Sequence, residues 1–156
     1  MLQYHAAGFQ KAGAQLHAIC DMNQDAAKKA ADTYGVPNLF SDSQKMLDEL
    51  QDLDAVSIIT PNRTHRPLAL QVLQAGKHVF CEKPPALNAT EVKQMKEAAE
   101  NAGKTLMFNF NNRARPESYA LREYIEAEAD DVGEDGGKPY DDVYYSASGA
   151  ALPSVR

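Results

Sequence analysis

Four stretches of this sequence hold side chains able to do chemistry: Asp21, the run Thr60-Pro61-Asn62-Arg63-Thr64-His65, the run Cys81-Glu82-Lys83-Pro84, and Asn111-Asn112-Arg113. Each also has a plain reading. Asp21 follows a strand-like run, where acids are common in turns; the same place in a strand–helix–strand unit is where a carboxylate accepts hydrogen bonds from a ribose. Lys83 alone reads as a solvated lysine, His65 as an exposed residue in a helix's first turn, and Asn111 to Arg113 as a loop cap. Cys81 adjoins an acid, whereas a nucleophilic thiol needs a positioned base and a cationic setting. His5, His17 and His78 lack the spacing of a metal site and read as structural. Gly8 and Gly13 are the only glycines before Gly35, so no Gly-x-Gly-x-x-Gly turn is present to cradle a phosphate.

Elements that could position these groups alternate between β-like and helical runs. Gln15 to Cys20 is strand-like and ends at Asp21. Asn23 caps a helix with Ala26, Ala27, Ala30, Ala31 and Tyr34 on its apolar side, and Gly35 and Pro37 end it. A short strand at Asn38 to Phe40 and a brief helix capped by Ser43, with Met46, Leu47 and Leu50, come next. Ala55 to Thr60 is nearly all apolar or β-branched, as in a strand covered on both faces. Thr64 opens a helix carrying Leu68, Val72, Leu73 and Ala75, with Pro67 tolerated in its first turn. His78 to Cys81 is the next strand. Asn88 and Glu91 resemble a capping box ahead of Val92, Met95, Ala99 and Ala102, and Gly103 ends that helix. Leu106 to Phe110 is the last strand of the series. Strand and helix alternating in this way predict right-handed βαβ units and a parallel sheet. Pro116 starts a helix running to about Ala127, an acidic loop spans Glu128 to Asp142, and Asp142 to Ser148 reads as an isolated strand.

Composition narrows the classes. The 156 residues are 44% hydrophobic and 24% charged, with a net charge of −6, which suits a globular chain. Between Glu123 and Asp142 stand nine acids and one base, so the acidity belongs to one late segment and the body is nearly neutral. A basic nucleic-acid footprint is absent. Runs long enough for a spanning helix or a secretory signal are absent too. Two cysteines cannot build a disulfide framework, and they read as reduced thiols of a cytoplasmic protein.

Ala75 to Pro84 (AGKHVFCEKP), preceded by Thr60 to His65 (TPNRTH) and followed by Asn109 to Arg113 (NFNNR), resembles the glucose–fructose oxidoreductase / inositol dehydrogenase / MocA family of NAD(P)-dependent oxidoreductases. The likeness runs from about Leu2 to Tyr145. It implies an α/β fold: a Rossmann-like doubly wound parallel sheet, here without the usual first strand and Gly-rich loop, over residues 1–112. Residues 113–156 would be a connecting helix, an acidic loop and a short remnant of a second α+β domain. The implied activity is hydride exchange between a nicotinamide and a sugar, cyclitol or related small molecule. By the likeness Lys83 is the catalytic residue, orienting the substrate hydroxyl and stabilising negative charge on its oxygen. Glu82 would hold the cofactor ribose or position Lys83, and Pro84 would fix the backbone behind it, with a cis Lys83–Pro84 bond one way to do so. Asp21 would bind the adenosine ribose, favouring NAD over NADP because a 2′-phosphate would face a carboxylate. Thr60, Pro61, Asn62 and His65 would line the nicotinamide side of the crevice, and Asn111 and Arg113 its far wall. No metal, nucleic acid or membrane enters this reading.

The resemblance also marks departures. In the strand order 3-2-1-4-5-6 the family's first strand is central, between the strands ending here at Cys20 and Thr60. Its absence leaves two inner edges, and each buried group without a partner costs ~1–3 kcal/mol against a domain stability of ~5–15 kcal/mol. Either those strands pair with each other, or another segment fills the interval, or the chain is marginally folded; Asp142 to Ser148 is the one internal candidate for a filler. The Asp and His pair of the family's second domain has no counterpart. The expectation is a piece of an oxidoreductase cut at both ends, with weak or absent NAD binding and no catalysis on its own. Its rival is a non-catalytic interaction module whose strand edges pair with a second chain or copy. A flavodoxin-like domain would need an acidic cluster or phosphate loop at a first strand, which is lacking.

Overall fold

The computed structural model describes residues 1–129, so most of the acidic loop and the Asp142 to Ser148 strand lie outside the described residues. Five strands, β1 (Ala18–Cys20), β2 (Asn38–Phe40), β3 (Ala55–Ile58), β4 (His78–Glu82) and β5 (Leu106–Asn109), alternate with helices α1 (Leu2–Lys11), α2 (Gln24–Tyr34), α3 (Ser43–Glu49), α4 (His65–Gln74), α5 (Ala89–Ala102) and α6 (Pro116–Ala129). Every strand pair is parallel. None of the described helices is long and apolar enough to cross a membrane.

Local chemistry explains the helix ends. Asn23 accepts from the Ala26 N–H at the start of α2, and Gly35 closes it in the left-handed region at φ 66°. Asn88 likewise accepts from Glu91 N–H, and Gly103 ends α5 at φ 61°. The Glu91 carboxylate accepts from Leu87 N–H rather than from the capping residue itself, a capping box displaced by one position. The cap of α3 is Asp42, not Ser43: the Asp42 carboxylate takes the Lys45 N–H at 2.8 Å, and the Ser43 hydroxyl donates to Gln71 Oε1. A carboxylate accepts the exposed N–H more strongly than a hydroxyl and suits the positive end of the helix dipole.

The parallel sheet is in two pieces, β1-β2 and β3-β4-β5. β1 and β3 do not pair with each other. In a parallel ladder, alternate residues turn their N–H and C=O groups to the same side. Asp21 N–H bonds Phe40 O, and His78 N–H bonds Asp54 O. Ala18 and Cys20 therefore aim their backbone groups away from β2, and Ala55 and Ser57 aim theirs away from β4. Three strands are also shorter than their sequence runs: β1 starts at Ala18, β3 ends at Ile58 and β5 ends at Asn109. Strand-like side chains extend past the last paired residue among the described residues.

One core nevertheless serves both pieces. Ile58, Val79, Cys81, Leu106 and Phe108 share a face of the larger sheet and pack on Ala69, Val72 and Leu73 of α4 and on Met95 and Ala99 of α5. Phe40, Met46 and Leu47 extend the cluster to the smaller sheet, where Ala18 and Cys20 lie against it. Leu73→Ala empties a site that is 1% exposed. It should lower unfolding stability by about 2–5 kcal/mol in urea denaturation; a loss under ~1 kcal/mol would show that the core is not closed there.

Candidate functional site

β4 ends at Glu82, and register does the first part of the positioning: Glu82 lies opposite Asn109 of β5, and Phe80 lies between Ser57 of β3 and Met107 of β5. Side chains alternate along β4, so Val79 and Cys81 enter the α4–α5 core while Phe80 and Glu82 face α1. There His5 and Phe9, one helical turn apart, meet Phe80 edge to face at ring separations of 5.6 and 5.7 Å.

Glu82 is 5% exposed, and both oxygens of its carboxylate are bonded. Oε1 accepts from His5 Nε2 at 2.7 Å and from Asn109 Nδ2 at 2.8 Å, and Oε2 accepts the Lys83 N–H at 2.9 Å. The other nitrogen of His5 meets the Ser57 hydroxyl at 3.2 Å. Because the carboxylate only accepts, the imidazole donates from Nε2, and its Nδ1 is then free to accept from Ser57. Burial alone would raise the Glu82 carboxyl. The bonds from His5, Asn109 and the Lys83 N–H, with the attraction of His5, outweigh it and hold the group below its ordinary value.

Lys83 follows, exposed, with its ammonium making no ion pair among the described residues. The Lys83–Pro84 bond is cis. Behind Pro84 stands His65, the first residue of α4 and 0% exposed. Its Nδ1 lies 2.8 Å from Pro84 O and its Nε2 2.8 Å from Thr60 O. The ring thus joins the loop after β3 to the loop after β4. Thr64 tightens the first of these loops: its hydroxyl donates to Pro61 O and lies 2.7 Å from Thr60 Oγ1, and it makes no side-chain cap to α4. Asn62 opens an exposed 3₁₀ turn there, and Asn111 and Arg113 lie on a second such turn after β5, Asn111–Ala114.

The structure therefore gathers Thr60, Pro61, His65, Glu82, Lys83 and Pro84 around the carboxyl ends of β3 and β4. Asn111 and Arg113 sit past the end of the neighbouring strand. Asp21 lies on the other sheet, exposed at the end of β1, with Oδ1 taking the Asn23 N–H at 2.8 Å and no hydrogen bond recorded at Oδ2 among the described residues. Sequence reasoning missed His5, Ser57 and Asn109 as members of this cluster. The available signal for His5 was its four-residue spacing from Phe9. Cys81, beside the site, is wholly buried, and desolvation followed by the Glu82 charge pushes its thiol up to about 12; it is no nucleophile. None of the described residues forms a His/Cys/Asp/Glu group able to hold a metal.

The family model described as "Oxidoreductase family, NAD-binding Rossmann fold" matches residues 1–110. The chain belongs to this Gfo/Idh/MocA family. D-glucoside 3-dehydrogenase of Escherichia coli is 37% identical over 111 residues, which are 71% of this chain and 31% of that protein. Myo-inositol 2-dehydrogenase of Thermotoga maritima is 33% identical over 71% of this chain and 33% of that protein. Among solved structures, the WlbA dehydrogenase of Bordetella pertussis, in complex with NADH and UDP-GlcNAcA, superimposes with a TM-score of 0.72 at 32% identity, covering 80% of this chain and 35% of that one. The chain spans about a third of the length of these relatives.

The Glu82 cluster has a measurable acid signature. A carboxyl held low when folded stabilises the fold fully above its ordinary value of 4.5 and loses that contribution as pH falls through its folded value. Glu82→Gln should flatten the fall of stability below pH 4.5 and lower stability at neutral pH by ~1–3 kcal/mol. Urea denaturation across a pH series measures both; a variant whose acid slope matches the native one would overturn the assignment.

Proposed function

We propose that this chain carries the nicotinamide-side wall of an NAD-dependent dehydrogenase acting on a hydroxyl of a sugar, cyclitol or related small molecule. The observation that carries the reading is Lys83: an exposed ammonium at the carboxyl end of β4, where ligands of open α/β sheets bind, whose neighbours on both sides are anchored in the protein. Lys83 donates to the substrate oxygen, orients it, and stabilises the charge that grows on it as the carbon is oxidised. Thr60, Pro61 and Asn62 flank the lysine from the loop after β3, with His65 behind them, and Asn111 and Arg113 close the far side. Asp21, with an uncommitted carboxylate oxygen, accepts from the adenosine ribose and disfavours a 2′-phosphate. When bound, the nicotinamide supplies the hydride acceptor. These residues fit the nicotinamide and ribose parts of the cofactor. The pyrophosphate part finds no Gly-x-Gly-x-x-Gly turn in the sequence, so the chain alone binds NAD weakly and is inactive.

Titration with NADH, followed by amide chemical shifts, should give a dissociation constant in roughly the millimolar range. Shifts should centre on Asp21, Asn62 and Lys83, with NADPH weaker still. Millimolar NADH that leaves all three amides unmoved would sink the reading.

A second reading draws on the divided sheet. Among the described residues, Ala18 and Cys20 on one edge and Ala55 and Ser57 on the other present unpaired strand groups, and such edges template association with another strand. On this reading the chain is a non-catalytic module that pairs with a second copy. Sedimentation over a range of concentrations should then show dimers whose Ala18 and Ser57 amides gain exchange protection. A monomer at every concentration would remove it.

A further inference from the structure

Lys83 projects from the protein while the residues on its two sides are held by buried imidazoles that come from distant parts of the chain. Residue 82 is held through its carboxylate by His5, on α1 and 77 residues away, with Asn109 of β5 completing the grip. Residue 84 is held through its carbonyl by His65, on α4 and 19 residues away. Neither histidine approaches the solvent: His5 is 6% exposed and His65 0%. Neither is spent on general packing alone. His5 has Ser57 at its second nitrogen, which fixes the ring, and His65 has the Thr60 carbonyl, which ties it to the loop after β3.

We propose that His5 and His65 are positioning residues for Lys83, bracketing it from opposite sides so that its ammonium leaves the sheet in one direction. The inference rests on the reading of Lys83 as the catalytic lysine, but its physical content is a local one. Between the two anchors lies only Lys83, whose own N–H is bonded back to Glu82 Oε2. Its backbone can turn only if one anchor lets go. Losing His5 frees the Glu82 carboxylate to swing toward water and releases the Lys83 N–H with it. Losing His65 frees the Pro84 carbonyl and detaches the loop after β4 from the loop after β3. The two losses reach Lys83 by separate routes, so each acts without the other.

The test is amide hydrogen exchange on the full chain, read residue by residue. His5→Met keeps bulk and removes the donor, and His65→Leu removes both ring nitrogens; each should speed exchange at Lys83 by about tenfold or more, while Val79 and Phe80 in the body of β4 keep their native rates. His5→Gln, which still offers an N–H to Glu82, should restore Lys83 to within a few-fold of native. If His5→Met does not fold, Ser57→Ala gives the graded version, a few-fold acceleration at Lys83 alone. Unchanged exchange at Lys83, or equal acceleration along all of β4, overturns the proposal, as does failure of His5→Gln to restore protection. None of these outcomes depends on cofactor binding. An absence of NADH-induced shifts at Asp21, Asn62 and Lys83 in the native chain counts against the dehydrogenase reading, and the exchange pattern decides the bracket in either case.

Discussion

A carboxylate at the inner end of β4 is the constraint on which the site depends. Taking a charged carboxyl out of water is costly unless its oxygens find donors, and Glu82 finds three: an imidazole, a side-chain amide and a backbone N–H. The donors come from α1, β5 and the residue that follows, so one buried charge fixes the helix, the edge strand and the start of the next loop relative to each other. Removing any donor leaves a buried oxygen short of a partner rather than a mere gap. This is why α1, with few buried side chains of its own, has a defined seat on the sheet: His5 and Ala6 are its buried residues, and His5 is held by a charge.

Around that anchor the site is built from loops, and loops need ties. The segment after β3 is tied internally by the Thr64 hydroxyl and externally by His65, whose ring also secures the segment after β4. The exposed residues Asn62 and Lys83 are therefore borne on backbone whose polar groups are satisfied underneath. No buried side-chain nitrogen or oxygen among the described residues lacks a partner. The division of the sheet does not loosen this part, because every member of the Lys83 cluster belongs to the three-stranded piece or to helices packed on it.

How much of this could be read from the sequence follows from the range of each interaction. Caps and stops such as Asn23 with Gly35 and Asn88 with Gly103 are local, within a turn of the residues they serve, and they were legible. The alternation that identifies the parallel α/β fold was legible for the same reason. Strand ends were not, since Gln15 to His17 and Ile59 to Thr60 have strand-like side chains but pair with no strand among the described residues. The string ending in Glu82-Lys83-Pro84 was legible as the end of a strand and the loop after it, and β4 does end at Glu82. What held it could not be read, because its partners are 77 and 27 residues distant and meet Glu82 only through the sheet register and the seat of α1. His65 was ambiguous until two carbonyls from separate loops were seen to enclose it.

The two thiols of the chain sit in contrasting places, and the contrast has a practical side. Cys81 is sealed beneath the sheet with its proton held to about 12, so neither dissolved oxygen nor an alkylating reagent finds a thiolate there near neutrality. Cys20 is only partly buried, so it is the more accessible sulfur, although burial and then the Asp42 and Asp21 charges push its thiol up as well. A fluorophore would therefore attach to the native chain slowly and first at Cys20, at the end of β1 beside the interval between the two sheets, and would report on whatever comes to lie there.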